Sequence, residues 1–528
     1  MRTRWPIVAV LLVTAALYFR ALGAVPAYLG GDEARFATGA ASIAATGRDL
    51  KGERLPLLFH LPDSLEASGG SSRWYQPFLF YVMAPLLKAV PLTEASVRIP
   101  TVLIGLLDVF LIYAVARQLF ANTLYPALAA LILALSPAHF IFSRQALDYI
   151  CPLPFVLGWL WCLLILMRGA SAWVSFGAGL LLGVGFYSYI AAWALMPLCL
   201  LLTWIVLSDG RPGARRDAIA AGIGFALPVL FIVPWLVSHP EMWRDTVGRY
   251  KVYDARHLSP LQGVKDFLNY NNVQERISVY WDYFNPAYLF LSGGSNLTHS
   301  TRRAGVFLLP VCVFLLAGLH DLRDRRRSAV RVLLLAGLAL SPLPATLVDE
   351  RYAVQRALLV LPFGALISVF GAAYLLRSPK TPVRLAAVLL LLAMPIQFAY
   401  FYRDYFAEYA TRSAVWFDPV NVRGVAEYVI ADTSAPAPAI YLSEDLDDVA
   451  ARWRFYMAKL RRQDVFARTR LFSAGRVDLD TVPAGSLLVL YANDPNAAAF
   501  VGGGRFSVAT VVIDAAGGKA AIILRKNG

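Results

Sequence analysis

What most limits the fold of this chain is a series of long apolar runs, at residues 5–24, 96–119, 124–143, 150–167, 172–187, 189–207, 218–237, 304–319, 332–348, 353–376 and 383–400. A membrane-crossing helix needs about 20 mostly apolar residues. Backbone inside lipid has no water to bond, so each run is expected to close its hydrogen bonds as a helix. Composition agrees: 58% of the 528 residues are hydrophobic and only 16% are charged, a balance soluble domains rarely show. The expectation is an α-helical polytopic membrane protein with about eleven transmembrane helices.

Basic residues give the orientation, because Lys and Arg concentrate in cytoplasmic loops. With Arg2 and Arg4 inside, the later loops on that side carry Arg117, Arg168, Arg211, Arg215 and Arg216. Arg323, Arg325, Arg326, Arg327 and Arg331 follow, then Arg377, Lys380 and Arg384. Every basic cluster between closely spaced runs falls on one face. The net charge of +14 is therefore read as a topology signal, and no nucleic-acid partner is expected. Cys151, Cys162, Cys199 and Cys312 lie within apolar runs and read as small buried hydrophobes.

Three long pieces fall outside in this topology. Residues 25–95 open on Gly30-Gly31-Asp32-Glu33, where Asp32 is placed to cap a short helix that stops at Gly47. Phe36, Ala40 and Ile43 share one face of that helix, a pattern suited to lying on a membrane surface. The apolar stretch 78–90 cannot cross without reversing every later basic loop, so an interfacial or re-entrant helix is expected. Residues 238–303 form a second outer loop, dense in aromatic and polar groups. Residues 401–528 are expected to form a small C-terminal α/β extracytoplasmic domain beside a membrane domain of residues 1–400. Its helices fall at 422–431 and 447–461, and its strands at 439–443, 486–491, 507–513 and 520–524.

Charge at membrane depth is costly and usually functional. Asp32 and Glu33 follow the first run, Arg98 opens the second on the outer side, and Arg144 and Asp148 follow the third. His299, Arg302 and Arg303 precede the eighth run, and Asp349, Glu350, Arg351 and Arg356 lie between the ninth and tenth. Arginines suit phosphate oxygens and a carboxylate suits proton abstraction, so the set fits an anionic lipid-phosphate ligand. Plain structural roles are open as well. Asp32 could only cap, Arg144 and Asp148 could pair along a helix face, and Arg98 could snorkel to head groups. His299 could be a hydrogen-bonded loop histidine, since one imidazole falls short of a zinc site. Asp108, in mid-helix, could bond a neighbouring helix. Gly183 and Gly185 permit close helix packing. Tyr187, Tyr189 and Trp193 belong to an interfacial belt or line a sugar site. No glycine-rich phosphate loop stands in its required context, so no nucleotide cofactor is expected. A divalent metal is left open.

The Asp32-Glu33 pair directly after the first run, in a large outer loop with a surface helix, resembles the GT-C glycosyltransferases. Within them the likeness is to the protein O-mannosyltransferases and the bacterial lipid A aminoarabinose transferases. Gln76-Pro77, Arg98, Ser136-Pro137, Phe142-Ser143-Arg144 and residues 351–362 carry it through the first 400 residues. The resemblance implies an inverting enzyme that moves a sugar from a polyprenyl-phosphate donor to an acceptor hydroxyl on the outer face. It implies Asp32 as the catalytic carboxylate and Glu33 as its support. Aminoarabinose-type relatives carry Lys-Pro where this chain has Gln76-Pro77. That departure moves the donor-phosphate contact to Arg98, Arg351 or Arg356. Tyr75, Gln76, Arg144, Asp148, His299 and Arg303 are then the substrate-binding candidates. The implied partners are the lipid-linked sugar, a protein, lipid or glycan acceptor, and the bilayer of a bacterial inner membrane. The competing class is a transporter or lipid flippase. Asp108 is its best support, although transporters favour midplane sites and repeats.

Overall fold

The computed structural model describes residues 5–66, 72–169, 171–208, 213–254, 257–324, 328–431, 436–475 and 480–528. Arg2, Arg4, Arg211, Arg325, Arg326 and Arg327 lie outside the described residues.

Among the described residues, five helices are long and apolar enough to cross a bilayer: Glu94–Leu119, Asp148–Leu166, Ala214–Ser238, Ala329–Leu347 and Thr381–Phe406. A sixth candidate is bent, with Leu124–Ala134 and Pro137–Ser143 meeting at 64°. Pro137 causes the bend. It brings no N–H to the helix and holds Ser136 in extended backbone (ψ 123°). The remaining runs contain shorter helices, at Trp5–Phe19, Ala172–Gly185, Ala192–Leu207, Leu309–Asp324 and Val360–Leu376. At 1.5 Å per residue these measure about 21–26 Å, against ~30 Å of hydrocarbon. Ile219, Ile223 and Leu227 form an exposed stripe on one long helix, and Leu385, Leu389 and Leu392 on another. Apolar faces of this kind belong in lipid, and the protein is an integral membrane protein. A Cβ on Gly183 would run into the Phe225 carbonyl and Pro228, and one on Gly185 into Phe155. Both glycines therefore permit the helix packing expected of them.

Residues 25–95 differ from expectation in two respects. The helix is Gly31–Thr46, ended by Gly47 at φ 67°, but Gly30 rather than Asp32 is its N-cap. The Gly30 N–H donates to Glu33 Oε2 at 3.0 Å, which leaves Asp32 free for other contacts. Phe36, Ala40 and Ile43 are buried in protein. Phe36 packs on Tyr75 and Phe80 with ring centroids 5.3 and 4.6 Å apart. The proposed membrane-surface face is thus covered by the Phe78–Ala89 helix and by the tail. Strands β1 (Phe59–Pro62) and β2 (Ser72–Tyr75) pair antiparallel beside it. The second outer piece folds into the helices Glu241–Arg249, Pro260–Phe267 and Tyr270–Asp282.

In the tail, strands β3 (Ile440–Ser443), β4 (Thr469–Phe472), β5 (Leu487–Tyr491), β6 (Phe506–Ile513) and β7 (Lys519–Lys526) form one mixed sheet, ordered β4-β3-β5-β7-β6. β3 is parallel to both neighbours, and β7 is antiparallel to both of its own. Strand β4 was not expected. Its four residues, Thr-Arg-Leu-Phe, are too few to show alternation. The expected helix 447–461 is Val449–Lys459, because Asp448 takes left-handed backbone at φ 47° and delays its start.

Candidate active site

A cleft of about 310 Å³ opens where the first outer loop meets the segments around residues 148, 250 and 356. Asp32 enters it from the first turn of the Gly31–Thr46 helix. Tyr75 and Gln76 enter from the end of β2, and Asp148 and Tyr149 from the turn that follows the bent span. Arg249 and Tyr250 end an outer helix, and Gln355 and Arg356 come from a one-turn 3-10 helix. The apolar run 353–376 becomes α-helical only at Val360, which leaves Arg356 on the approach to that helix.

Asp32 is held from one side. Its Oδ1 accepts from Tyr75 Oη at 2.7 Å and from an Arg35 guanidinium nitrogen at 3.2 Å, with Arg73 at 3.7 Å. Its Oδ2 has no hydrogen bond among the described residues, and about a third of the side chain is exposed (35%). Burial and the Asp32 charge both raise the Tyr75 hydroxyl pKa, so it remains a donor. An oriented carboxylate with one open oxygen can accept a proton from a ligand hydroxyl.

Glu33, the adjacent residue, points the other way and is fully buried. Arg98 grips it with two bonds of 2.9 and 3.0 Å, and the Ala146 N–H adds a third at 2.8 Å. The other three Arg98 N–H groups go to the carbonyls of Leu22, Pro26 and Tyr28 at 3.0–3.2 Å. All five guanidinium donors are therefore occupied. Two expectations are corrected: Glu33 does not reach the cleft, and Arg98 has no donor left for phosphate and does not snorkel.

Other candidates move as well. Arg144 is fully buried and donates to the carbonyls of Tyr18 and Val25. It does not pair with Asp148, because the helix stops at Ser143 and the shared face never forms. Arg351 pairs with Asp282, and Arg303 with Asp404 and Glu408; neither lines the cleft. His299 packs against Phe142 and against Tyr149, which lines the cleft. Burial holds its imidazole down at about 4, so it is neutral near pH 7. Tyr189 lines the cleft. Asp108 faces His139 Nε2 at 3.5 Å, on the far half of the bent span. Among the described residues no three His, Cys, Asp or Glu side chains gather as metal ligands.

Arg356 alone of the three phosphate candidates stands at the cleft. Its Nε pairs with Glu350 and its guanidinium lies 4.9 Å from the Tyr250 ring centroid. Its two terminal nitrogens make no hydrogen bond among the described residues. It also borders a second cavity, of about 440 Å³, walled by Phe186, Trp193, Trp243, Val247 and Leu347. Gln76 and Gln355 line the polar cleft, each with a buried Oε1 that has no hydrogen-bond partner among the described residues. Arg35, Arg73, Gln355 and Asp448 were missed from sequence. Only Arg35 carried a signal, three residues from Asp32 on one helix.

Residues 76–237 match the family described as dolichyl-phosphate-mannose-protein mannosyltransferase. No curated protein sequence matches the chain. Solved structures match over nearly its full length. ArnT from Cupriavidus metallidurans, bound to undecaprenyl phosphate, aligns at TM-score 0.57 and 14% identity, over 99% of this chain and 98% of that one. The oligosaccharyltransferase of Archaeoglobus fulgidus, tethered to an acceptor peptide with an NVT sequon, aligns at 0.54 and 13% identity, over 93% and 69%. Archaeal AglB from Archaeoglobus fulgidus, with an inhibitory peptide and a dolichol-phosphate, aligns at 0.51 and 14% identity, over 86% and 64%. The chain shares the overall fold of these solved structures.

Proposed function

We propose that this protein transfers a sugar from a polyprenyl-phosphate donor to an acceptor hydroxyl on the outer face of the membrane, with inversion. The observation that carries the reading is the position of Arg356, between the polar cleft that holds Asp32 and the apolar cavity beside it. A lipid-linked sugar phosphate has that sequence of chemistries: apolar chain, anion, polyol. The undecaprenyl phosphate and dolichol-phosphate in the structural relatives support the donor class.

The acceptor oxygen attacks the anomeric carbon as the bond from that carbon to the phosphate oxygen breaks. The electron pair leaves with the phosphate, and the hydroxyl proton passes to Asp32 Oδ2. Phosphate is already a good leaving group, so the protein's tasks are to neutralise it and to activate the acceptor. Arg356 does the first and Asp32 the second, oriented by Tyr75. One displacement inverts the anomeric centre. The Gln76 and Gln355 amides accept sugar hydroxyls. In this reading the amino terminus is cytoplasmic, and residues 401–528 form an extracytoplasmic domain beside the membrane domain of residues 1–400.

Gln76→Leu is expected to raise the donor KM about tenfold with little change in kcat, the effect of one buried hydrogen bond. Initial-rate kinetics over a donor titration read this directly; an unchanged KM removes Gln76 from the sugar site. The whole reading is tested with purified full-length protein, a panel of radiolabelled undecaprenyl-phosphate and dolichyl-phosphate sugars, and membrane extract as acceptor. Label is expected to become covalently bound to acceptor. Label that crosses proteoliposome membranes with no covalent product would instead support the transporter or flippase class.

A further inference from the structure

Three carboxylates share two guanidiniums beside the cleft: Asp32 and Arg73 line it, while Arg35, Asp63 and Asp448 line a neighbouring cavity that Arg73 also borders. Arg35 reaches Asp32 at 3.2 Å, Asp63 at 2.9 Å, and Asp448 as well. Arg73 lies 3.7 Å from Asp32, 3.1 Å from Asp63 and 3.4 Å from Asp448. Asp448 comes from the tail, at the entrance to the Val449–Lys459 helix. We infer that Asp448 is a positioning residue for Asp32. Through it the carboxy-terminal unit shares Arg35 and Arg73 with the Asp32 carboxylate and sets how closely they hold it.

Gly31 supplies an independent observation. A Cβ there would overlap the Asp448 carboxylate, with the nearest contacts to its Oδ2, Cγ and Cβ. Gly31 is not among the residues of positive φ, so the backbone does not require glycine here, and glycine is a poor helix former. What its missing side chain provides is room for Asp448 against the first helical turn, one residue from Asp32. Burial raises the Asp448 carboxyl, but Arg35 and Arg73 lower it further, and it stays ionised.

The electrostatic consequence has a definite sign. A nearby cation favours an ionised carboxylate and a nearby anion disfavours it. Removing the Asp448 charge leaves the guanidiniums to Asp32 and Asp63, so Asp32 becomes a weaker base. The other groups that face Asp32 do not change with Asp448. From β2 comes the Tyr75 hydroxyl, and from the outer helix Arg249 and Tyr250. From the two turns come Asp148, Tyr149 and Arg356, with His299 behind them. On the tail helix, Arg452 and Arg454 donate to the backbone carbonyls of Leu29 and Ser64.

The inference rests on Asp32 as the base, and its test separates the two claims. Trypsin cuts after Arg20 and Arg35, and the peptide 21–35 contains only two carboxylates, Asp32 and the buried Glu33. Carbodiimide labelling of the native full-length protein across a pH series, followed by digestion and mass spectrometry, therefore titrates Asp32 without any substrate. Asp448→Asn and Gly31→Ala are expected to move the midpoint of Asp32 labelling to lower pH than in wild type, and Asp448→Glu to leave it in place. In the transfer assay Asp448→Asn should lower kcat about tenfold with donor KM unchanged, and should move the acid limb of the rate profile to lower pH. Identical Asp32 titrations in all four proteins would overturn the inference, as would a defect in Asp448→Asn confined to KM. Wild-type transfer by Asp32→Asn would sink the base assignment instead, while the labelling series still decides how Asp448 acts on Asp32.

Discussion

Asp32→Asn is expected to lower turnover by about 10²–10⁴-fold, the usual contribution of a positioned general base, while the protein folds and binds donor normally. The substitution keeps the shape of the side chain and its acceptance of the Tyr75 hydroxyl. It removes only the charge and the open oxygen that takes the proton. Stability should change little. Asp32 does not cap its helix, it is about one-third exposed, and its arginines keep Asp63 and Asp448 as partners. Single-turnover transfer from a radiolabelled donor, compared with wild type at saturating donor, measures the loss. Donor KM should stay within about threefold, because a group that acts mainly in the transition state leaves ground-state binding alone. A large rise in KM at constant kcat would make Asp32 a binding residue.

The helices within the apolar runs were legible because their signal is local, although only five, or six with the bent pair, are long and apolar enough to cross a bilayer among the described residues. A run of apolar residues needs no partner to declare itself, and every expected run contains a helix. Four of the tail's five described strands and its two longest helices were legible for the same reason, whereas β4 and the short helices Glu408–Arg412, Ala414–Phe417, Gln463–Ala467 and Pro495–Gly502 were not. The Asp32-Glu33 pair marked one wall of the cleft but not that its two side chains part. One turn of helix sends adjacent side chains about 100° apart, and here one faces the cleft and the other the core. Nothing near Arg98 announces that the carbonyls of Leu22, Pro26 and Tyr28 will surround it, because those carbonyls become acceptors only once the chain turns after Phe19. The convergence of Asp32, Tyr250, Arg356 and Asp448 joins distant segments through tertiary packing, for which a single sequence carries no period or spacing. The charges read as one outer layer thus separate into a buried frame, Glu33, Arg98 and Arg144, and a cleft lined by Asp32 and Arg356.

Glu33→Gln is expected to give the opposite phenotype to its neighbour: a loss of about 3–5 kcal/mol in stability, the cost of breaking a buried ion pair. The Ala146 and Gly30 N–H groups bond different oxygens of Glu33, so Gln, with one acceptor oxygen, satisfies only one of them and turns its NH2 toward the other. The Arg98 guanidinium would be left fully buried with only backbone carbonyls around it. Those carbonyls tie together the turn after Trp5–Phe19, the start of Glu94–Leu119 and, through Glu33 and Ala146, the segment beyond the bent span. Loosening them should lower the unfolding temperature and the yield of monodisperse protein before chemistry is considered. Arg98→Met should be similarly damaging, since it leaves Glu33 charged and without its partner. The double variant Glu33→Gln, Arg98→Met should recover part of the loss, because it removes the uncompensated charge. Thermal unfolding of the four proteins in one detergent measures the coupling. If Glu33→Gln instead keeps wild-type stability and loses turnover, Glu33 belongs to the chemistry and the buried-frame assignment fails.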